Sequence, residues 1–130
     1  MKQNGKTRIL EITDGTSNTT LYSEAAGKDK QYYTGGTSVA VATSTTGRIW
    51  CDSDTRITVT GTDATGTTNI GTGPCAMNCN NQQDIYSFHT GGANVAFADG
   101  SVRFISQSIS IATLAALVTK GGKEVIPNLD

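Results

Sequence analysis

Apolar positions in this sequence come in short groups separated by Gly, Thr, Ser, Asn and Asp, the punctuation of strands and turns rather than of long helices. Ile9, Leu10 and Ile12 form the first group and end at the turn formers of 13–18. Residues 19–26, with Thr, Leu and Tyr, predict a strand. Tyr32-Tyr33 opens a short strand that Gly35-Gly36 closes, and 39–43 predict another. Residues 48–51 are short and apolar-centred, and Trp50 reads as a core or subunit-contact anchor rather than a ligand platform. Residues 56–60 alternate polar and apolar, the period of a half-buried strand. A Gly-Thr pair then recurs at 61, 66 and 71, too short a repeat for a solenoid, so 61–74 read as an exposed low-complexity loop. Gly71-Thr72-Gly73 lacks the following Lys and the strand-to-helix setting of a phosphate cradle.

Residues 84–88 predict a strand broken by Gly91-Gly92. Asp99-Gly100, between the alternating runs 94–98 and 101–105, predicts a hairpin. A two-residue turn there pairs Phe97 with Val102 and Val95 with Phe104, so all four face one buried side. Ser110 is placed to cap a helix over 111–119, with Ile111, Leu114, Ala115 and Val118 as its apolar stripe. Lys120 suits its negative end, and Gly121-Gly122 predict the C-cap. A helix of about nine residues does not stand alone, so the stripe must pack on the sheet. Val125-Ile126 predict a last short strand.

Composition sharpens this into a class. The 130 residues suit a single domain spanning 1–130. Charged residues are 16%, against about 25% in ordinary domains. Thr alone is about a sixth of the chain. The expected fold is mainly β (α+β): an antiparallel sheet with one short C-terminal helix. The net charge of −1, with no basic cluster, argues against nucleic acid and against a polybasic membrane anchor. The longest apolar run, 111–118, falls far short of the ~20 residues of a membrane helix, and residues 1–6 hold no apolar signal segment.

Candidate chemistry is sparse. Of three cysteines, Cys75 and Cys79 are the preferred disulfide across a tight loop, leaving Cys51 as a thiol. A bridge to Cys51 ranks second. A zinc site of Cys51, Cys75, Cys79 and His89 ranks third, since it lacks a second paired element. Asp52, Asp54, Asn78, Asn80, Asn81 and Asp84 offer oxygens for calcium, but no EF-hand register is present and turn chemistry accounts for them. No metal and no cofactor is therefore expected. Asn18-Thr19-Thr20 matches a glycosylation acceptor. His89, the sole histidine, lies two residues after Ser87, but no G-x-S-x-G elbow is present, so His89 reads as structural.

The run 86–104, in which nine residues separate His89 from Asp99-Gly100, resembles the H-x9-D-G C-terminal domain of bacterial proteins made with a prepilin-type N-terminus. Ile12-Thr13-Asp14-Gly15-Thr16-Ser17-Asn18-Thr19, with Glu24 after it, is similar to that family's upstream motif. Residues 73–81 resemble a segment found before its His, and 114–126 its ending. The signature positions are His89, Gly91, Gly92, Asp99 and Gly100; Thr90 stands where the family usually has Pro.

The resemblance implies a β-rich head of a type IV pilin-like or type II secretion pseudopilin-like protein of unknown function, with no established enzymatic activity, so a non-enzymatic role is expected. Its leader and long apolar helix are absent from this sequence, so a head-domain fragment, a truncated product or a split form is expected. Low charge and Thr/Ser/Asn richness fit an extracellular or cell-surface location, where a disulfide would survive. The expected partners are other pilin-like subunits or secretion-machinery proteins, with no nucleic acid and no membrane segment. A glycan- or solute-binding module is the rival, and clustered exposure of Tyr32, Tyr33 and Trp50 would favour it.

His89 and Asp99 are expected not to touch. They flank opposite ends of the strand 94–98, roughly 17 Å apart at about 3.4 Å per residue. If 84–88 pairs back against 94–98, His89 lies beside Asn94.

Overall fold

The computed structural model describes residues 6–28, 30–39, 57–126 and 129. Among those residues its strands and α-helix in chain order are β1 (Thr20–Ser23), β2 (Gln31–Tyr32), β3 (Ser38–Val39), β4 (Gly61–Thr62), β5 (Asn69–Gly71), β6 (Gly92–Phe97), β7 (Val102–Ser106) and α1 (Ile111–Val118), with short 3-10 turns at Ile9–Glu11, Thr16–Asn18 and Thr34–Gly36. The main sheet is antiparallel in the order β1-β6-β7, and β2–β3 and β4–β5 form two small hairpins. The expected class, mainly β with one short helix, is what the chain adopts. The predicted strands at 40–43 and 48–51, with Trp50, Cys51, Asp52 and Asp54, lie outside the described residues.

The 94–105 hairpin forms, but one residue out of the expected register. Ala96 faces Val102, Val95 faces Arg103 and Asn94 faces Phe104. The cause is the turn. Gly100 N–H donates to the Phe97 carbonyl (3.0 Å) and Phe97 N–H to the Ser101 carbonyl (2.9 Å), enclosing three residues, Ala98, Asp99 and Gly100. This is a type I turn followed by a left-handed residue, and Gly100 supplies it with φ +86°. A slip of one residue exchanges the faces of a strand. Ala93, Val95, Phe97 and Ile105 therefore point into the core, while Val102 and Phe104 point out.

The core lies between that inner face, the helix residues Leu114 and Leu117, and Ala76, Met77 and Ile85. The helix buries Leu114, Ala116 and Leu117, not the predicted Ala115 and Val118. The sheet approaches α1 from a side rotated from that stripe, which periodicity alone does not locate. Ser110 caps the helix as expected, its Oγ accepting from Thr113 N–H at 3.0 Å. Gly121-Gly122 do not close its other end, because neither takes a positive φ. The hydroxyl of Thr20 bonds the Leu117 carbonyl (3.2 Å) and that of Thr119 the Ala116 carbonyl (3.1 Å) instead.

Three further expectations change. Ile57 to Thr60 join no ladder; Thr58 N–H bonds the Gln83 carbonyl (2.7 Å) while Val59 packs on the core. Residues 125–126 form no strand, and Val125 is exposed. The Gly-Thr segment is not a loose loop, for β4–β5 fold it back on the disulfide region. There Gly66 takes φ +78°, and a Cβ on it would lie 1.8 Å from the Cys79 carbonyl oxygen. Only glycine permits that approach.

Candidate functional site

β1 pairs with β6 so that Ser23 faces Val95, which sets Glu24 against Asn94 on the outer side of the sheet. The segment before β6 runs beside the end of β1: Tyr86 N–H bonds the Glu24 carbonyl (3.2 Å), and Ala26 N–H bonds that of Tyr86 (2.9 Å). This single parallel bridge, Ala25 to Tyr86, replaces the predicted strand over 84–88. β1, rather than 84–88, is therefore the neighbour of 94–97.

That arrangement assembles a polar cluster. The Glu24 carboxylate accepts Asn94 N–H at 2.8 Å, Asn94 Nδ2 at 3.2 Å and His89 Nε2 at 3.2 Å. Burial pushes the Glu24 carboxyl up, but the bonds from Asn94, the Ser87 hydroxyl and the nearby His89 outweigh it, so it sits below its ordinary value. His89 N–H bonds Ser87 Oγ at 3.0 Å, and Ser87 N–H bonds Asn78 Oδ1 at 2.8 Å. Ser, His and Glu are thus neighbours, yet the buried Ser87 hydroxyl serves a backbone N–H and the carboxylate. In a Ser–His pair the hydroxyl bonds the imidazole; here His89 Nε2 lies on Glu24 instead. The cluster ties β1, the 86–91 segment and β6 together.

Asp99 lies elsewhere. Its Oδ1 accepts Ser101 N–H (2.9 Å) and Ser101 Oγ (2.7 Å), which shapes the turn and draws its carboxyl below the usual range. His89 and Asp99 form no ion pair, and His89 reaches Asn94 through Glu24. Gly91 takes φ +86° in the turn before β6, and Gly92 lies under the Phe104 ring. The upstream motif docks against Asp99: Asp99 N–H bonds the Thr16 carbonyl (3.1 Å), and Ala98 N–H bonds that of Thr19 (2.8 Å). Arg103 reaches the Ser17 carbonyl and stacks over the Phe97 ring. Asp14, in the same motif, accepts Lys123 N–H and Gly122 N–H, both at 2.8 Å, and holds the segment after α1.

Cys75 and Cys79 form the preferred disulfide, which removes both thiolates from the zinc reading. Among the described residues, the calcium candidates Asn78, Asn80, Asn81 and Asp84 are engaged in separate hydrogen bonds, and Asp52 and Asp54 lie outside those residues. Asn81 donates to the carbonyls of Ala26, Gly27 and Lys30 and accepts Tyr32 N–H. Asn80 bonds the Gly66 carbonyl and Gln82 N–H, and Asn78 bonds the Gly92 carbonyl. Asp84 is buried and takes Thr60 Oγ1 at 2.5 Å beside a polar cleft of about 160 Å³; burial raises its pKa. Among the described residues, no three His, Cys, Asp or Glu side chains are grouped for a metal.

Sequence reasoning missed the outer sheet face. Tyr22, across from Ala96, is 77% exposed, Val102 65% and Phe104 50%. The His89 ring meets that of Phe104 edge-on at 6.5 Å. The signal was present in the Val-Arg-Phe-Ile alternation, but the register decides which alternate pair faces water.

A family described as a protein of unknown function (DUF1559) matches residues 1–111. The chain belongs to that family. No curated protein and no solved structure matches the sequence. The stretch matched to DUF1559 contains every residue of the Glu24–His89 cluster and of the hairpin, whereas most of α1 lies after it.

Proposed function

We propose that this DUF1559 domain is a non-enzymatic assembly domain, the head of a pilin-like or pseudopilin-like subunit working outside the cytoplasm. The observation that carries the reading is the outer sheet face, where Tyr22, Val102 and Phe104 leave large apolar surfaces in water. Such a strip on a small domain is what a protein partner covers. The polar signature residues support the same role. Glu24, His89 and Asp99 hold the loops that present the face. The Cys75–Cys79 disulfide is consistent with export. Among the described residues no helix is long and apolar enough to cross a membrane. The expected partners are other subunits of the same kind or secretion-machinery proteins.

The rival glycan- or solute-binding reading asked for exposed Tyr32 and Tyr33. Both are half-buried, and Tyr32 packs edge-on against Phe88 with ring centroids 5.0 Å apart. Trp50 lies outside the described residues.

Fractionation of cells that make the protein tests the proposal. The expected result is oxidised protein in the envelope or sheared surface fraction, in species far larger than the 13.6 kDa chain. Reduced, monomeric protein confined to the cytoplasm would overturn it.

A further inference from the structure

Among the described residues β7 is the last strand on one side of the main sheet, and its bonding pattern shows what its outer edge offers. The bond from Phe97 N–H to the Ser101 carbonyl and that from Gln107 N–H to the Gly91 carbonyl fix the phase of the ladder. With the observed register, Ser101, Arg103, Ile105 and Gln107 turn their backbone groups toward β6. Val102, Phe104 and Ser106 then turn theirs outward, where no strand of the described residues pairs with them. The Ser106 carbonyl takes Ile109 N–H (3.1 Å). The same alternation puts the side chains of Val102 and Phe104 on the outer face. One strand thus presents unpaired backbone groups and exposed apolar side chains at the same residues.

The two edges of this sheet differ. β1 is broken in register between Thr20 and Tyr22 and continues into the Ala25–Tyr86 bridge, devices that obstruct pairing with another strand. β7 has a regular register over its whole length, with no Pro and no Lys. Its one charge, Arg103, is drawn inward over Phe97 to the Ser17 carbonyl. An extended strand satisfies such a row of donors and acceptors in register by adding to the sheet edge.

We infer that β7 is the contact edge between copies of this domain, pairing antiparallel with β7 of a second copy. The strand complements itself. A two-fold axis at Phe104 sets Phe104 against its own copy, Val102 against Ser106, and Arg103 against Ile105. No like charges meet. The outward groups of Phe104 bond as a closely spaced pair with their own copies, and those of Val102 bond Ser106, whose carbonyl is shared with Ile109 N–H. The two outer faces join into one, with Phe104 and Val102 at its centre. Five residues a side bury less than the roughly 1,200 Å² of a stable isolated dimer, so the contact is weak unless other contacts hold the copies close. The inference deepens the assembly reading and rests on it for the second copy as occupant.

Site-directed crosslinking tests it in the full chain with Cys51→Ser as background. Residues facing each other in such a pair lie about 5.5 Å apart at Cα, within disulfide reach. Phe104→Cys is expected to form an interchain disulfide at least tenfold faster than Ile70→Cys, an exposed position on β5. Without added cysteine, Phe104→Lys and Val102→Pro should each weaken self-association at least tenfold in sedimentation runs. Both change only outward-facing groups, and unchanged circular dichroism confirms the fold. Equal crosslinking at 104 and 70, no association at any concentration, or association indifferent to both variants would overturn the edge contact. High-mass cellular species that persist with Phe104→Lys would sink the edge contact and leave the assembly reading standing. Rapid crosslinking at 104 without such species would do the reverse.

Discussion

Glu24 Oε1 lies 3.2 Å from His89 Nε2, and the same carboxylate holds the backbone and side chain of Asn94. The end of β1, the segment before β6 and β6 itself therefore share one acceptor. His89 is positioned from the upstream motif, not from the Asp99 turn with which it shares its sequence signature.

Replacing Glu24 should release all three pieces. Glu24→Ala is expected to lower stability by about 1–2 kcal/mol, the cost of leaving part-buried donors unmet. The Glu24 carboxyl lies below its ordinary value of 4.5 in the folded chain. Its contribution is therefore complete above that value and disappears as pH falls through the lower folded value. Melting curves of both proteins should differ most near neutrality and converge in acid. A constant gap at all pH values would contradict the assignment.

Asp84 carries the opposite sign. Burial raises its pKa above the ordinary 3.8, although Thr60 holds it and Lys28 lies near. The folded state then binds a proton more tightly than the unfolded one, so this group contributes stability below pH 3.8 that is lost as pH rises through its folded value. Asp84→Asn keeps an acceptor for Thr60 and removes the buried charge. It should match or exceed the wild type at pH 7, by up to about 2 kcal/mol, with the gap narrowing in acid. A less stable Asn variant at neutral pH would show that the carboxylate is favourably held.

The Cys75–Cys79 bridge closes a very short loop. Chain entropy assigns such a loop about 2 kcal/mol. Cys75→Ser with Cys79→Ser, or reductant, should lower the melting temperature without abolishing the fold, because Ala76 and Met77 remain buried in the core. Non-reducing peptide maps should show the two cysteines in one crosslinked fragment. A bridge from either one to Cys51 would disprove the pairing.

The helix face makes a paired test. Leu117 is fully buried, whereas its neighbour Val118 is exposed. Leu117→Ala should cost about 2–5 kcal/mol and Val118→Ala less than about 1 kcal/mol. Denaturant midpoints would decide, and the reverse ranking would restore the stripe read from periodicity.

Much of this was legible from residues alone. Ser110 marked the helix start, Asp99-Gly100 marked the hairpin, and the Cys75–Cys79 spacing marked the disulfide, because each is a local event between residues a few positions apart. The separation of His89 from Asp99 followed from strand length. Register did not follow. Val-Arg-Phe-Ile offers an apolar residue to either face, and the choice fell to the three-residue turn and to the packing of Ile105 beside Val95 and Phe97. The edge of β7 emerged only with that choice. The Gly-Thr segment and the Asn-rich stretch looked like surface turns, since their partners, the Cys79 and Gly66 carbonyls and those of Ala26, Gly27 and Lys30, are distant in the chain. A contact between distant backbone groups has no sequence period. It exists only once the sheet and the disulfide loop have brought those groups together, and in this domain such contacts position both the Glu24–His89 cluster and the outer face.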